Sequence, residues 1–148
     1  MGARLFKHPI HPMLVPVPIG LWIFSFVCDL VYRFLSDNVI WDEVAFYTMA
    51  GGIVGALLAA LPGFVDLLSL NDPATRRIAL AHMLVNLTTV VLFAINLWLR
   101  TNSPPGAGVP VVLSLVGVLL LGVAGWLGGE LVFRHGVGVE RRPSEVKG

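Results

Sequence analysis

Charged residues are scarce in this sequence. Lys, Arg, Asp and Glu make up 13% of the 148 residues, about half the roughly 25% of a typical soluble domain. Hydrophobic residues reach 56% and the mean hydropathy is +0.83, so the chain lacks the polar groups to cover a water-facing surface. It reads as an integral membrane protein, with the lipid bilayer as its first partner and no nucleic-acid partner expected. The lone Cys28 lies in the first apolar run, which excludes an intrachain disulfide. No Cys-x-x-Cys-His is present to attach a c-type haem.

Four stretches are long enough to cross a bilayer, which takes about 20 mostly apolar residues. They run over 12–34, 44–70, 78–99 and 109–133, within one domain spanning 1–148. The links "SDNVIWDE", "NDPATRR" and "RTNSPPGAG" are short and rich in turn residues. Short links favour antiparallel neighbours, so the expected fold is all-α, an up-down-up-down four-helix bundle. Arg4 and Lys7 before the first span resemble a signal-peptide start. Its apolar region is too long for one, however, and no Ala-x-Ala-like site follows.

Charge placement orients the bundle. With four spans, one side carries Arg4, Lys7, Arg76, Arg77, Arg134, Arg141, Arg142 and Lys147, the other only Arg33 and Arg100. The positive-inside rule then puts both termini, and a tail over 134–148, in the cytoplasm. Tyr32, Trp41, Tyr47 and Trp98 gather near the other face as interfacial aromatics do. The implied location is a bacterial inner membrane, crossed several times.

All four histidines fall on the expected cytoplasmic side. His8 and His11 open the first span between prolines, and His135 follows the fourth. His82 lies five residues past Arg77, roughly 7–8 Å into the third span by helical rise. Asp66 and Glu130 sit in the last turns of the second and fourth spans. His8, His11 and His135, each taken alone, fit an interfacial residue. A polar side chain as deep as His82 is costly unless partnered or functional.

Such a layer can ligate haem iron with imidazoles on both faces. It can bind zinc, copper or non-haem iron through His8, His11, His82 and His135 with Asp66 and Glu130. It can also relay protons, since imidazole titrates near neutral pH. Gly51, Gly55, Ala59 and Gly63 on the second span, and Gly122, Gly125 and Gly129 on the fourth, form small faces. These allow close helix packing, or a flat cofactor against the backbone. The third span carries His82, Asn86, Thr89 and Asn96 on one stripe, and the first carries Ser25, Asp29 and Tyr32 on one face. Each hairpin opens with a histidine (His11, His82) and nears its end with glycine before an acid. Parallel duplication and coincidence both account for that.

The stretches "HPIHPMLVPVPIGLW" and "GWLGGELVFRHGVGV" resemble the end motifs of a family of small bacterial four-helix membrane proteins of unknown function. The resemblance covers about residues 6–139 and carries over to His8, His11, His82, Glu130 and His135. Relatives in that family fused to Rieske-type iron–sulfur or cytochrome c domains imply a place in electron transfer. With no such fusion here, the expected redox partner is a separate iron–sulfur or cytochrome protein, or a quinone.

The leading expectation is a membrane redox module that binds b-type haem, or a metal ion, at His8, His11, His82 and His135. It would pass electrons rather than act as a stand-alone enzyme. The rivals are a small ion or proton transporter using Asp66, His82 and Glu130, and a purely structural subunit. A homodimer is compatible with the sequence.

Overall fold

Proline sets where two of the long helices begin, because its missing N–H costs nothing in a first helical turn. The computed structural model describes the backbone of residues 4–5 and 8–139, and side chains from Ile10 onward. Two-residue strands β1 (Arg4–Leu5) and β2 (His8–Pro9) pair antiparallel, Leu5 opposite His8. A short helix α1 (Ile10–Leu14) leads into α2 (Pro16–Phe34). Then follow α3 (Ile40–Leu68), α4 (Pro73–Arg100) and α5 (Gly108–Phe133). Together α1 and α2 form one span, so the described residues contain four helices long and apolar enough to cross a membrane.

The helices overrun most of the apolar limits of the expected spans. Backbone hydrogen bonding continues through polar turns wherever a cap satisfies the free amides. Asp72 is such a cap, accepting from the Thr75 amide at 2.8 Å, so α4 starts five residues before Ile78. At the other end of α3, Ser69 closes the helix on the Asp66 carbonyl, two residues short of the expected limit. Of the tail expected over 134–148, the part beyond Val139 lies outside the described residues.

α2 packs mainly on α3 and α4 on α5, and the two hairpins join along α3–α4 and α2–α5. α2 and α4 therefore face each other diagonally. Large apolar side chains such as Leu57, Leu61, Leu84, Leu119 and Trp126 point outward. Exposed apolar area of this extent is stable only against lipid or another protein.

The two hairpins repeat each other. His82, Phe93, Asn96 and Arg100 follow His11, Trp22, Ser25 and Asp29 by the same 71 positions. On the partner helices, Ala45, Gly52, Ala59 and Gly63 recur 65 positions on as Pro110, Gly117, Ala124 and Gly128. Their contacts repeat as well. Ser25 donates to the Ala45 carbonyl at 2.7 Å and Asn96 to the Pro110 carbonyl at 2.9 Å. A Cβ on Gly52 would collide with Trp22, and one on Gly117 with Phe93. These matched positions and contacts make the two hairpins structural equivalents. The bundle has an approximate two-fold axis running along it.

Aromatics from the two halves meet on that axis. Trp22 and Phe93 stack with ring centres 4.4 Å apart and planes 16° from parallel. Both are buried, and Met49 and Leu121 complete the cluster. The Trp22 indole N–H donates to the Met49 carbonyl at 3.2 Å, so its polar atom is satisfied. A stacked pair contributes about 0.5–1.5 kcal/mol beyond its buried area. This layer separates two polar poles.

Candidate functional site

At the histidine pole, α1 and α4 each bring one imidazole to the axis. His11 Nδ1 lies 2.8 Å from the Ala59 carbonyl and His82 Nδ1 2.9 Å from the Ala124 carbonyl. A carbonyl only accepts, so each Nδ1 carries the proton, and the neutral ring keeps its lone pair on Nε2. Glycine permits both placements. A Cβ on Gly63 would stand 2.8 Å from His11 Nδ1, and one on Gly128 would stand 3.2 Å from His82 Cε1. The rings face each other with centres 6.3 Å apart and planes at 87°.

The other candidates lie apart from this pair. His135 Nδ1 is 2.9 Å from Thr75 Oγ1, whose own proton goes to Asp72 at 2.5 Å. His135 is therefore the donor, and the Asp72–Thr75–His135 chain ties the end of α5 to the start of α4. The two bonds from Thr75 hold the Asp72 carboxyl below its usual range. Glu130 pairs with Arg134 at 2.9 Å on the outer side of α5. Asp66 is half-buried in the last turn of α3. His8 lies in β2, and its side chain is outside the described residues. Among the described residues no three His, Cys, Asp or Glu side chains gather as a metal-ligand set. Of the sequence candidates, the described residues bring together His11 and His82.

The small face of α5 departs from expectation. A Cβ on Gly122 or Gly125 would meet nothing within 4 Å. With Gly129, Trp126 and Phe133 they line an outward groove of about 500 Å³. Within the chain, the packing glycines of α5 are Gly117 and Gly128. On α3 the expected stripe does pack inward, Gly51 against Leu21 and Gly55 against Val17 and Pro18.

The opposite pole joins two charges, Asp29 and Arg100, that the sequence showed separately but not as a pair. Arg100 reaches both carboxylate oxygens of Asp29, at 2.6 and 2.7 Å, with the two side chains 4% and 1% exposed. Arg100 also donates to Asp42 at 3.5 Å, Ser114 at 3.3 Å and Asn96 at 3.4 Å. Asp42 in turn accepts from the Gly106 amide at 3.0 Å. Gly106 has φ +68° and sits against Tyr32, where a Cβ would collide. The signal was present in the sequence. The stripe His82, Asn86, Thr89, Asn96 extends one more turn to Arg100, which counts as a loop charge when spans are cut at apolar limits.

Four apolar helices, a buried aromatic centre and two polar poles define a small membrane bundle built from two equivalent hairpins. The chain belongs to the family described as predicted membrane protein (DUF2231), which it matches over residues 7–141. No curated protein and no solved structure matches it.

Proposed function

We propose that this protein is a small electron-transfer module of the membrane in which His11 and His82 together ligate one metal centre. The observation that carries this reading is the pairing itself. Two imidazoles, each with Nδ1–H fixed by a backbone carbonyl, approach across the bundle axis, an arrangement that leaves Nε2 as the lone-pair donor of an uncharged ring. Orientation by a second hydrogen bond is the usual condition of a metal-binding histidine. One metal held by a nitrogen of each ring at about 2.0–2.1 Å separates the ring centres by roughly 6 Å, close to the 6.3 Å found.

The donor set suits the iron of a b-type haem, or a copper or non-haem iron ion. Either would supply one-electron chemistry, and the chain's own part is to fix two half-buried imidazoles in one orientation. A buried septum of Trp22, Phe93, Met49 and Leu121 fills the axis beyond them. That favours electrons over an ion or proton pathway, because a hydrated ion needs polar lining along its route. The redox partner in this reading is a separate iron–sulfur or cytochrome protein, or a quinone. In this reading the histidine pole lies on the cytoplasmic side of a bacterial inner membrane, which the positive-inside rule supports through the excess of basic residues at that pole.

The test is a reduced-minus-oxidised spectrum of protein purified from haem- and metal-sufficient cells, with elemental analysis of the same sample. Soret and α bands identify haem; stoichiometric copper or iron without them identifies a bare ion. A colourless, metal-free protein overturns the proposal.

A further inference from the structure

Asn86 stands one turn beyond His82 on α4 and spends its amide nitrogen on that one residue. Its Nδ2 lies 3.2 Å from His82 Nε2 and 2.8 Å from the His82 carbonyl oxygen. Both neighbours are acceptors, because His82 Nδ1 already carries the ring proton toward Ala124. The amide orientation is therefore fixed, with nitrogen and both its hydrogens turned to His82. One of these bonds covers the lone pair that ligation needs.

The internal repeat does not carry this asparagine in its other half. The position equivalent to Asn86 in the first hairpin, 71 residues earlier, is Val15. Its side chain has no donor. Asn86 is thus a departure from the repeat at the histidine pole, aimed at a ligand atom.

We infer that Asn86 is a latch on the bis-histidine site, occupying His82 Nε2 until a metal displaces it. This rests on the ligation reading above. Binding starts at His11 and is completed when the Asn86 side chain rotates off Nε2. One hydrogen bond breaks and one metal–nitrogen bond forms, with no proton released, since Nε2 carries none. The latch keeps the His82 ring ordered while the pair is empty, and it sets a threshold that weakly held ions do not pass.

Asn86→Val, which copies the first hairpin, tests this, with Asn86→Ala as a second variant should the β-branched residue disturb the helix. The cofactor-free wild type and variant are titrated in detergent with haemin and, separately, with cuprous ion. The variant should bind the accepted probe roughly three- to tenfold more tightly, the equilibrium worth of one intramembrane hydrogen bond. In nitrogen NMR of the cofactor-free protein, the His82 Nε2 resonance should move in the variant while that of His11 stays. Equal or weaker binding by both variants, or an unmoved His82 resonance, overturns the latch alone. No binding of either probe by wild type or variants overturns the ligation reading and the latch with it.

Discussion

Asp29 and Arg100 occupy equivalent positions in the two hairpins, and they bond to each other across the bundle axis at 2.6 Å. An ancestral pair of identical hairpins would have placed like residues there. Opposite charges at the two sites make each half complementary to the other rather than to itself. Removing one partner leaves a buried charge unpaired, which costs about 3–5 kcal/mol, whereas replacing both by apolar residues of similar volume is often near neutral. Arg100→Met should therefore destabilise the bundle strongly. The double variant Asp29→Leu/Arg100→Met should recover much of that loss, with Asp42 then the acid left without its arginine. Thermal unfolding of the three proteins in detergent checks this, and equal loss in single and double variants would count against it.

The glycines of α5 divide sharply by what they face. Gly117 lies under Phe93, while Gly122 faces open space. Gly117→Ala forces Phe93 off its stack with Trp22, and overpacking of this kind costs about 1–3 kcal/mol. Gly122→Ala adds a methyl to an uncrowded helix face, where an ordinary surface change stays within about 0.5 kcal/mol. Melting temperatures of the two variants should differ accordingly. Similar losses at both sites would mean that the outer face of α5 is covered in the sample, as by a second copy.

Acid should loosen the tie between α5 and α4. Asp72 has a folded pKa below its ordinary value near 3.8, held down first by its two bonds from Thr75. For a carboxyl with a depressed folded value, the stabilisation is present above the unfolded pKa and disappears as pH falls through the folded one. The loss should thus fall below about pH 4. Asp72→Asn should remove that component of the acid profile, read as hydrogen exchange of the Thr75 and Arg76 amides between pH 6 and pH 3. An unchanged profile would show that the Asp72–Thr75–His135 chain contributes nothing to holding the helix ends together.

Orientation is open to a direct check. Reporters fused after Lys147 or inserted near Pro73 should read cytoplasmic, and one near Ser103 periplasmic. The reverse pattern would put the histidine pole on the outer side and remove the basis for a cytoplasmic redox partner.

The four spans were legible in the sequence because lipid leaves an unbroken apolar signature, and charges at helix ends are few enough to count. The up-down-up-down order, which sets the first and third spans diagonally, followed from short links, but that His11 and His82 pair there while His135 stands apart did not. The Asp29–Arg100 pair was not legible as a pair, because Arg100 stands where a span gives way to a loop. The outward turn of Gly122 and Gly125 was hidden for another reason: a small face toward lipid and one toward a helix have the same spelling. Half of the repeat was hidden as well. Equivalent residues such as Trp22 and Phe93, or Ser25 and Asn96, share a place and a contact but not an identity.

The histidines allow the sharpest separation of structural from ligating roles. His82 and His135 both donate from Nδ1, one to the Ala124 carbonyl on the bundle axis and one to Thr75 at the helix ends. Loss of either donor should cost modest stability, about 1–2 kcal/mol for the intramembrane bond. Among the described residues His82 faces a second imidazole, that of His11, and His135 does not. His82→Ala and His11→Ala should each abolish cofactor binding while the bundle stays folded, because the Trp22–Phe93 layer and the glycine contacts of α3 and α5 set its packing. His135→Ala should keep full cofactor content. The measurement is cofactor per protein and melting temperature on the same three samples. Retention in both axis variants would refute ligation by this pair. Loss in His135→Ala alone would move the site to the helix ends beside Asp72.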